Sequence, residues 1–276
     1  MTSSPGHALI TGASSGIGLA LAHLLTRKAW RVSLLARNEE KLTKAIRQWP
    51  SLSQPPEILP LVADVTDHQA LSRAFARAGD QFGPPSLVVA NAGQVEPGWF
   101  TALSPEVFRQ MMEVNYFGAV ETARLALEYL PLSPKASLIF VSSGAALTGL
   151  AGYSAYAPSK CAVRGLAESL RNEYAPRGLH IGLVYPPDTD TPQLAYENTR
   201  KPTATKAITQ SGGTASPDTV ARAIYQGYSR RRFLITPGWR MFFLARVQGL
   251  LTPLLWRQFD KIVRRHPPDE PSSPKE

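Results

Sequence analysis

Short apolar segments alternate with amphipathic segments along most of the chain, and this alternation predicts the secondary structure. Apolar residues that recur every three or four positions indicate helices, whereas short continuous apolar segments indicate buried strands. The seven predicted strands lie in HALITGA, RVSLLA, EILPLVA, SLVVANAG, ASLIFVSS, HIGLVY and RFLIT. Alternating strands and helices favour right-handed crossovers and a parallel sheet with both faces covered. We therefore expect an α/β fold built on a doubly wound, seven-stranded sheet.

Two regions fall outside this alternation. Residues 186–215 are rich in proline, threonine and glycine, and they are expected to form a long loop that contacts the substrate or the cofactor. Residues 239–276 combine leucines and aromatic residues with many cations. We therefore divide the chain into a domain over residues 1–238 and an amphipathic, helical C-terminal tail over residues 239–276.

The positive charge is concentrated near the C-terminus. The chain of 276 residues carries a net charge of +9, and residues 228–266 contribute +8 of it. A pI of 9.8 would by itself indicate a nucleic-acid partner, but a nearly neutral body with a basic tail does not fit one. We therefore predict no nucleic-acid partner and expect the tail to meet a localised anionic surface.

The composition of the tail indicates how it meets such a surface. Arg246 and Gln248 interrupt the apolar residues of 240–263, and Pro253 is expected to kink the helix, so an unbroken membrane span is not predicted. Leucines and aromatics mixed with arginines are typical of a helix in the headgroup region of an anionic membrane. We expect residues 239–265 to attach there. The alternative is a helix that covers the substrate pocket or forms a dimer interface, and the sequence leaves a homo-oligomer open.

The single cysteine, Cys161, permits no intrachain disulfide and favours a reducing compartment. The N-terminal segment MTSSPGH is too short and polar for a signal peptide. Together with the tail, these features predict a cytoplasmic protein that is attached peripherally to the cytosolic face of a membrane. No metal site is predicted.

The first candidate binding element is the glycine-rich segment TGASSGIG, which follows the first predicted strand and opens the first predicted helix. Its glycines allow the backbone to approach a pyrophosphate, whose charge meets the unpaired N–H groups of the helix N-terminus. A tight turn alone also uses glycines, but the strand–turn–helix context favours a dinucleotide site. The predicted contacts are Gly12, Ser14, Ser15, Gly16, Ile17 and Gly18.

The end of the second predicted strand indicates which dinucleotide binds. NAD-selective sites usually place an acid there to accept hydrogen bonds from the adenosine ribose. This chain has Ala36 followed by Arg37, with Lys41 one helical turn further on. Two cations in place of an acid favour the 2′-phosphate of NADP(H), with Arg37 on a solvated face as the alternative interpretation. The predicted cofactor is NADPH.

Tyr156 and Lys160 are the candidate catalytic pair, since residues four apart lie on one face of a helix. Pro158 is compatible with a helix that starts near residues 154–156, because first-turn N–H groups have no intrahelical partner. A phenol with a pKa of about 10 is a weak acid near neutrality. An ammonium about 4 Å away, at an effective dielectric constant of about 20, offers about 4 kcal/mol, or roughly three pKa units before desolvation losses. Tyr156 can then protonate a carbonyl oxygen, although the same spacing is common by chance on a surface helix.

Five motifs occur together in the chain: TGASSGIG, NAG at 91–93, NYFG at 115–118, VSSGAA at 141–146 and YAPSK. As a set they resemble the short-chain dehydrogenase/reductase family, over about residues 8–236. The resemblance implies a Rossmann-type sheet, a nicotinamide cofactor and a catalytic tetrad of Asn115, Ser143, Tyr156 and Lys160.

The resemblance also implies a role for each member of the tetrad. Ser143 would hydrogen-bond the substrate oxygen, with its neighbour Ser142 as the alternative. Asn115 would hold a water molecule in a proton relay to Lys160. Lys160 would bind the nicotinamide ribose and assist Tyr156, the proton donor.

The same resemblance implies further cofactor contacts. Asp64 and Val65 would lie beside the adenine, and Asn91 would line the cofactor cleft. Thr189 and Thr191 belong to the loop that contacts the nicotinamide carboxamide. Family members commonly carry Pro-Gly-x-x-x-Thr in that loop. Here residues 186–191 read PPDTDT, so Thr191 matches the threonine and Pro187 replaces the glycine.

The substrate is indicated by four shorter segments: ARNEEKL at 36–42, YPPDTDTP at 185–192, ENTRKP at 197–202 and FDKIVRR at 259–265. They resemble a branch of the family that reduces the ketone of 3-ketosphinganine, a long-chain hydrophobic ketone, with NADPH. Reduction of another hydrophobic ketone or aldehyde, such as a steroid, a retinoid or a 3-oxoacyl group, is the second hypothesis. The third, a protein that senses NADP(H) without catalysis, is disfavoured by the intact tetrad.

Overall fold

A computed structural model describes residues 6–50, 55–133, 135–210 and 213–267. The strands are β1 (His7–Thr11), β2 (Arg31–Ala36), β3 (Ile58–Val62), β4 (Leu87–Ala90), β5 (Ser137–Val141), β6 (His180–Val184), β7 (Asp188–Thr189), β8 (Thr214–Ala215) and β9 (Leu234–Ile235). Seven of them form a parallel sheet in the order β3-β2-β1-β4-β5-β6-β9. Each of these seven lies inside one predicted apolar segment, so the predicted strands are confirmed.

Helices cover both faces of this sheet. The α-helices of the described residues are α1 (Gly16–Thr26), α2 (Glu39–Arg47), α3 (His68–Phe82), α4 (Pro105–Met112), α5 (Gly118–Tyr129), α6 (Tyr156–Tyr174), α7 (Pro192–Arg200), α8 (Thr203–Gln210), α9 (Pro217–Ser229) and α10 (Trp239–Arg265). On one face α1 and α9 bury Leu21 and Ile224, and on the other α3 and α6 bury Phe75 and Val163. The doubly wound α/β fold is therefore confirmed.

The direction of winding reverses between β1 and β4. From β1 the chain proceeds outward to β2 and β3, and it then returns past β1 to form β4, β5 and β6 on the other side. The loops at the carboxyl ends of β1 and β4 diverge at this point and leave a crevice, where open α/β sheets bind their ligands. The glycine-rich segment follows β1 and Asn91 follows β4, so both lie at this crevice.

Residues 186–215 do not form the long loop that their composition predicts. They contain α7 and α8, and β7 pairs with β8 in a separate two-stranded sheet. Pro192 starts α7 in its first turn, and the hydroxyl oxygen of Thr191 caps the helix by accepting a hydrogen bond from the Leu194 N–H at 3.2 Å. Leu194 and Ile208 are buried. The expectation is wrong because proline and threonine begin and cap a helix here.

Residues 105–129 do not form one continuous α-helix. A π-helical turn, Glu113–Phe117, separates α4 from α5. The side chain of Asn115 in this turn is buried. Wide turns of this kind occur frequently at functional sites.

The basic tail forms α10, which continues through Pro253. Its first turn packs on the body, where Met241 is 6% exposed in the main core. Further along, Leu250 and Trp256 are 83% and 56% exposed. Among the described helices, α10 included, none combines the length and the apolar character needed to cross a bilayer. The end of the predicted tail, residues 268–276, lies outside the described residues.

Candidate active site

The turn between β1 and α1 has the geometry of an anion-binding site. Gly12 and Gly16 have φ angles of +65° and +57°, in the left-handed region that favours glycine. A Cβ on Gly12 would lie 2.8 Å from the backbone after β4, and a Cβ on Gly18 would lie 2.7 Å from the side-chain nitrogen of Asn91. Before α1, Ser15 makes no side-chain capping bond to any described N–H, so the first N–H groups of the helix are open to a phosphate.

Asn91 holds this turn in place. Its side-chain N–H groups donate to the carbonyl oxygens of Thr11 at 2.9 Å and Gly12 at 3.1 Å. The hydroxyl oxygen of Thr11 accepts a hydrogen bond from the Asn91 backbone N–H at 3.0 Å. These bonds join the end of β4 to the end of β1. Asn91 lines the cleft, where the family resemblance places it, and it also shapes the glycine turn.

Arg37, Lys41 and Asp64 lie just beyond β2 and β3. The Arg37 side chain is 63% exposed, and its guanidinium lies 4.0 Å from the Asp64 carboxylate. Asp64 also accepts hydrogen bonds from the N–H and the hydroxyl of Thr66, at 3.0 Å and 2.9 Å. Val65 is buried next to Asp64, and Lys41 is exposed in the first turn of α2. Because an exposed ion pair contributes at most about 1 kcal/mol, Arg37 stays available to an anion.

Tyr156 and Lys160 lie together in the first two turns of α6, which starts at Tyr156 as expected. Their side chains are buried, at 7% and 5% exposure. The Lys160 ammonium donates a hydrogen bond to the Val141 carbonyl at 3.2 Å and lies 6.0 Å from the centre of the Tyr156 ring. Pro158 falls in the first turn, where it removes no helical hydrogen bond.

Burial dominates the ionisation of this pair. It lowers the pKa of Lys160 from 10.5 to about 8. Burial raises the pKa of Tyr156 well above its ordinary value, and the carboxylates of Glu197 and Asp188 raise it further, while a hydrogen bond with Ser143 lowers it. The net shift of the Tyr156 pKa is therefore upward, whereas the lowering expected from the Lys160 ammonium applied before the losses from desolvation. Loss of hydration has the largest effect on this pKa, and the two carboxylates act in the same direction as burial.

The structure distinguishes Ser143 from Ser142. The Ser143 hydroxyl lies beside Tyr156, and its oxygen accepts a hydrogen bond from the Ala145 N–H at 3.1 Å. The Ser142 hydroxyl is buried and donates to the Lys160 backbone carbonyl at 2.9 Å. Ser142 therefore fastens the end of β5 to α6, whereas Ser143 presents its hydroxyl beside the phenol.

Asn115 is tied to the backbone beside the catalytic lysine. Its side-chain N–H donates to the Gln94 carbonyl at 2.9 Å, and its side-chain oxygen accepts from the Gln94 N–H at 2.8 Å. A Cβ on Gly93 would lie 3.0 Å from the Lys160 ammonium and 3.1 Å from the Asn115 oxygen. The two groups therefore border the same glycine. The water relay between them stays a prediction.

One cleft brings most of the predicted residues together. Those that line it are Gly12, Ser15, Gly16, Ile17, Asn91, Ser143, Tyr156, Lys160, Thr189 and Thr191. Thr191 faces the glycine turn, since a Cβ on Gly16 would lie 3.0 Å from its methyl carbon. The predicted residues outside this lining are Ser14, Gly18, Arg37, Lys41, Asp64, Val65 and Asn115.

Sequence reasoning does not identify a polar group in the same cleft, in which Tyr153, Glu197 and Lys201 are buried and Asp188 is half-buried. Lys201 is 4% exposed, and its ammonium lies 3.2 Å from the carboxylates of both Asp188 and Glu197. The Tyr153 hydroxyl donates to Glu197 at 2.6 Å. Tyr153, Asp188 and Glu197 line the cleft. The spacing of Glu197 and Lys201, one helical turn, is the signal that the sequence contains.

The cleft fits a dinucleotide. Side chains at positions 12 and 18 would collide with the backbone after β4 and with Asn91, so the turn keeps its shape only with glycines there. The buried Lys160 ammonium has the Val141 carbonyl as its one hydrogen-bond partner among the described residues. A phosphate at the start of α1 and a ribose hydroxyl at Lys160 would satisfy these groups.

Comparison with known proteins identifies the family. The short chain dehydrogenase family model matches residues 6–202. The chain therefore belongs to the short-chain dehydrogenase family of oxidoreductases, which confirms the resemblance that its five motifs indicate.

The names of individual relatives describe a narrower activity than the family model does. The chain is 34% identical to the 3-dehydrosphinganine reductase of Danio rerio over 251 residues, which cover 90% of this chain and 76% of that protein. It is 36% identical to a 3-dehydrosphinganine reductase of Arabidopsis thaliana over 250 residues, covering 90% of this chain and 74% of that protein. Among solved structures, it is similar to the alcohol dehydrogenase of the archaeon Thermococcus sibiricus complexed with 5-hydroxy-NADP. That match has a TM-score of 0.71 and 26% identity, and it covers 84% of this chain and 95% of that one.

Proposed function

We propose that the chain reduces the ketone of 3-ketosphinganine to the secondary alcohol of sphinganine, with NADPH as the reductant. The observation that carries the substrate assignment is the similarity to 3-dehydrosphinganine reductases over nine-tenths of the chain. The cleft supports the chemistry, because Ser143, Tyr156 and Lys160 line it together with the glycine turn.

In this reaction the ketone gains one hydride and one proton. NADPH, when bound, supplies the hydride to the carbonyl carbon. The raised pKa of Tyr156 keeps its hydroxyl protonated at neutral pH, so the proton is present for transfer to the carbonyl oxygen. The Ser143 hydroxyl beside it would donate a hydrogen bond to the same oxygen. The ammonium of Lys160 would stabilise the phenolate that remains and hold the nicotinamide ribose.

NADPH is favoured over NADH by the charges beyond β2. The exposed Arg37 guanidinium and the Lys41 ammonium are available to a 2′-phosphate, and the contact of Arg37 with Asp64 is long at 4.0 Å. A phosphate would compete successfully with such an exposed pair. The NADP-type ligand of the Thermococcus sibiricus alcohol dehydrogenase is consistent with this choice.

The exposed part of α10 is proposed to attach the protein to the cytosolic face of an anionic membrane. Its large exposed apolar side chains are Trp239, Phe242, Phe243, Leu250, Leu254 and Trp256. Arg240 and Arg246 lie among them, Arg257, Lys261, Arg264 and Arg265 follow, and each cation near an anionic surface contributes about 1 kcal/mol. A long-chain ketone would then enter the cleft from that surface. Met241 lies in the first turn of α10 and is buried in the hydrophobic core of the body. The division of the chain into a domain and a tail at residue 239 therefore stays a prediction.

Direct turnover tests the proposed function. Purified protein with NADPH and 3-ketosphinganine is expected to oxidise NADPH and form sphinganine, measured by absorbance and mass spectrometry. A steroid ketone, retinal and a 3-oxoacyl thioester serve as comparison substrates. Turnover of one of these without turnover of 3-ketosphinganine would support the second hypothesis. Binding of NADPH with no turnover of any of them would support a sensing protein.

A further inference from the structure

The polar group formed by Tyr153, Asp188, Glu197 and Lys201 contains more negative than positive charge. Asp188 and Glu197 contribute two carboxylates, and Lys201 contributes one ammonium between them at 3.2 Å from each. The group therefore carries one surplus negative charge. The two carboxylates share one ammonium, and their side chains are only 26% and 10% exposed, so a ligand cation that enters this part of the cleft would be favoured.

Glu197 has a carboxylate oxygen that is available to such a ligand. Its Oε2 accepts the Tyr153 hydroxyl at 2.6 Å and pairs with Lys201. Its Oε1 accepts no hydrogen bond from any described residue. The Glu197 side chain is 10% exposed and lines the cleft that a substrate would occupy. Asp188 also lines the cleft, with Oδ2 on Lys201.

Tyr153 places these carboxylates near the reacting group. Its ring packs edge-on against the ring of Tyr156, with centroids 5.4 Å apart, while its hydroxyl holds Glu197. The carboxylates of Glu197 and Asp188 both raise the pKa of Tyr156, so their negative charge acts at the phenol. The pKa of Lys160 is lowered by burial, without a contribution from either carboxylate. Among the described residues, both carboxylates form their ion pairs with Lys201 and neither forms one with Lys160.

We propose that Glu197 and Asp188 bind an ammonium group that the substrate carries on the carbon next to its ketone. This inference rests on the proposed function, because 3-ketosphinganine bears an amine at that carbon. An N⁺–H group would donate a charge-assisted hydrogen bond to the available oxygen of Glu197 while the ketone oxygen meets Tyr156 and Ser143. The site would thus select α-amino ketones over neutral ketones of the same chain length.

The ammonium would also assist the reaction itself. It compensates the surplus negative charge that disfavours a phenolate at Tyr156. Loss of the amine, or of the charge on Glu197, should therefore lower kcat as well as raise KM. A residue that only shaped the cleft would not make both parameters depend on the substrate's amine.

The test compares 3-ketosphinganine with an analogue in which hydrogen replaces the amine, at about pH 6.5, where an amine beside a carbonyl is protonated. The parent protein should prefer the amine-bearing ketone by about tenfold or more in kcat/KM. Glu197→Gln keeps the side-chain length and an acceptor for Tyr153 but removes the charge, and it should reduce the preference to about threefold or less. Asp188→Asn should shift the preference in the same direction.

The matched control is Glu96→Gln. Glu96 pairs with Arg200 of α7 at 3.2 Å but does not line the cleft, so this change should leave the substrate preference at its parental value. Equal kcat/KM for both ketones in the parent protein would overturn the ammonium site and leave ketone reduction standing. An equal loss for both ketones in Glu197→Gln would overturn it too. No turnover of either ketone would contradict the proposed function instead.

Discussion

Replacing Lys160 by methionine is expected to make the cofactor-free protein more stable while removing its ability to bind NADPH. Lys160 is 5% exposed, and among the described residues its ammonium donates a hydrogen bond to the Val141 carbonyl at 3.2 Å. Burial lowers its pKa from 10.5 to about 8. The buried charge of Lys160 therefore destabilises the cofactor-free protein, and contact with the cofactor would offset this destabilisation.

The size of this cost follows from the pKa. A fall from 10.5 to about 8 corresponds to about 3 kcal/mol at about 1.36 kcal/mol per pKa unit. Methionine is similar in length and removes the charge, but it also removes the hydrogen bond to Val141, which offsets about 1 kcal/mol. A net gain of about 2 kcal/mol in the free energy of unfolding is expected at neutral pH.

The sign of the pH dependence is fixed by the same values. Below pH 8 the lysine is protonated in both the folded and the unfolded chain, so the full cost is present. Between pH 8 and 10.5 the folded protein loses this proton before the unfolded chain does, and the cost declines. The stability advantage of Lys160→Met over the parent should therefore be full at neutral pH and shrink through this interval.

Denaturant unfolding without cofactor, at neutral pH and near the upper end of that interval, measures the difference directly. Lys44→Met, which removes an exposed lysine of α2, is the control and should change the unfolding free energy little at either pH. Titration with NADPH, followed by fluorescence, measures the loss of cofactor binding. A Lys160→Met protein that is less stable than the parent at neutral pH would refute the reasoning.

Three further changes test the remaining assignments. Tyr156→Phe should lower turnover to less than about a tenth of the parental value, a loss of at least about 1.4 kcal/mol, while NADPH affinity is retained; higher residual activity would exclude Tyr156 as the main acid. Arg37→Ala should bring the affinity for NADPH down towards that for NADH, and equal affinities in the parent protein would contradict the assignment of Arg37. Leu250→Asp combined with Leu254→Asp should reduce cosedimentation with anionic vesicles at low salt. If parent and variant sediment alike but differ in oligomeric state, this face of α10 joins two copies instead.

The features that could be predicted from the sequence are those with local signals. Each strand of the seven-stranded sheet is a short apolar segment. The turn after β1 is recognisable in the sequence because its geometry requires glycine at positions 12, 16 and 18. Tyr156 and Lys160 could be paired because a helix brings positions four apart onto one face. In each case the residues that make the structure are neighbours in the chain.

The features that could not be predicted depend on contacts between distant segments. The polar composition of residues 186–215 conceals α7 and α8, which bury Leu194 and Ile208. The charged group around Lys201 requires β7 and α7 to come together, and no spacing in the sequence joins Asp188 to it. The direction of the Tyr156 pKa shift likewise depends on burial and on these carboxylates, which the pair of residues considered alone does not include.

The most direct test of the proposed function follows the hydride. NADPH in which deuterium replaces both hydrogens of the hydride-donating carbon is incubated with the protein and 3-ketosphinganine, and the sphinganine formed is analysed by mass spectrometry. Sphinganine with one deuterium on the carbon that carried the ketone is the predicted result, with formation strongly reduced in Tyr156→Phe. A protein that binds NADPH but forms no deuterated sphinganine would contradict the proposed function.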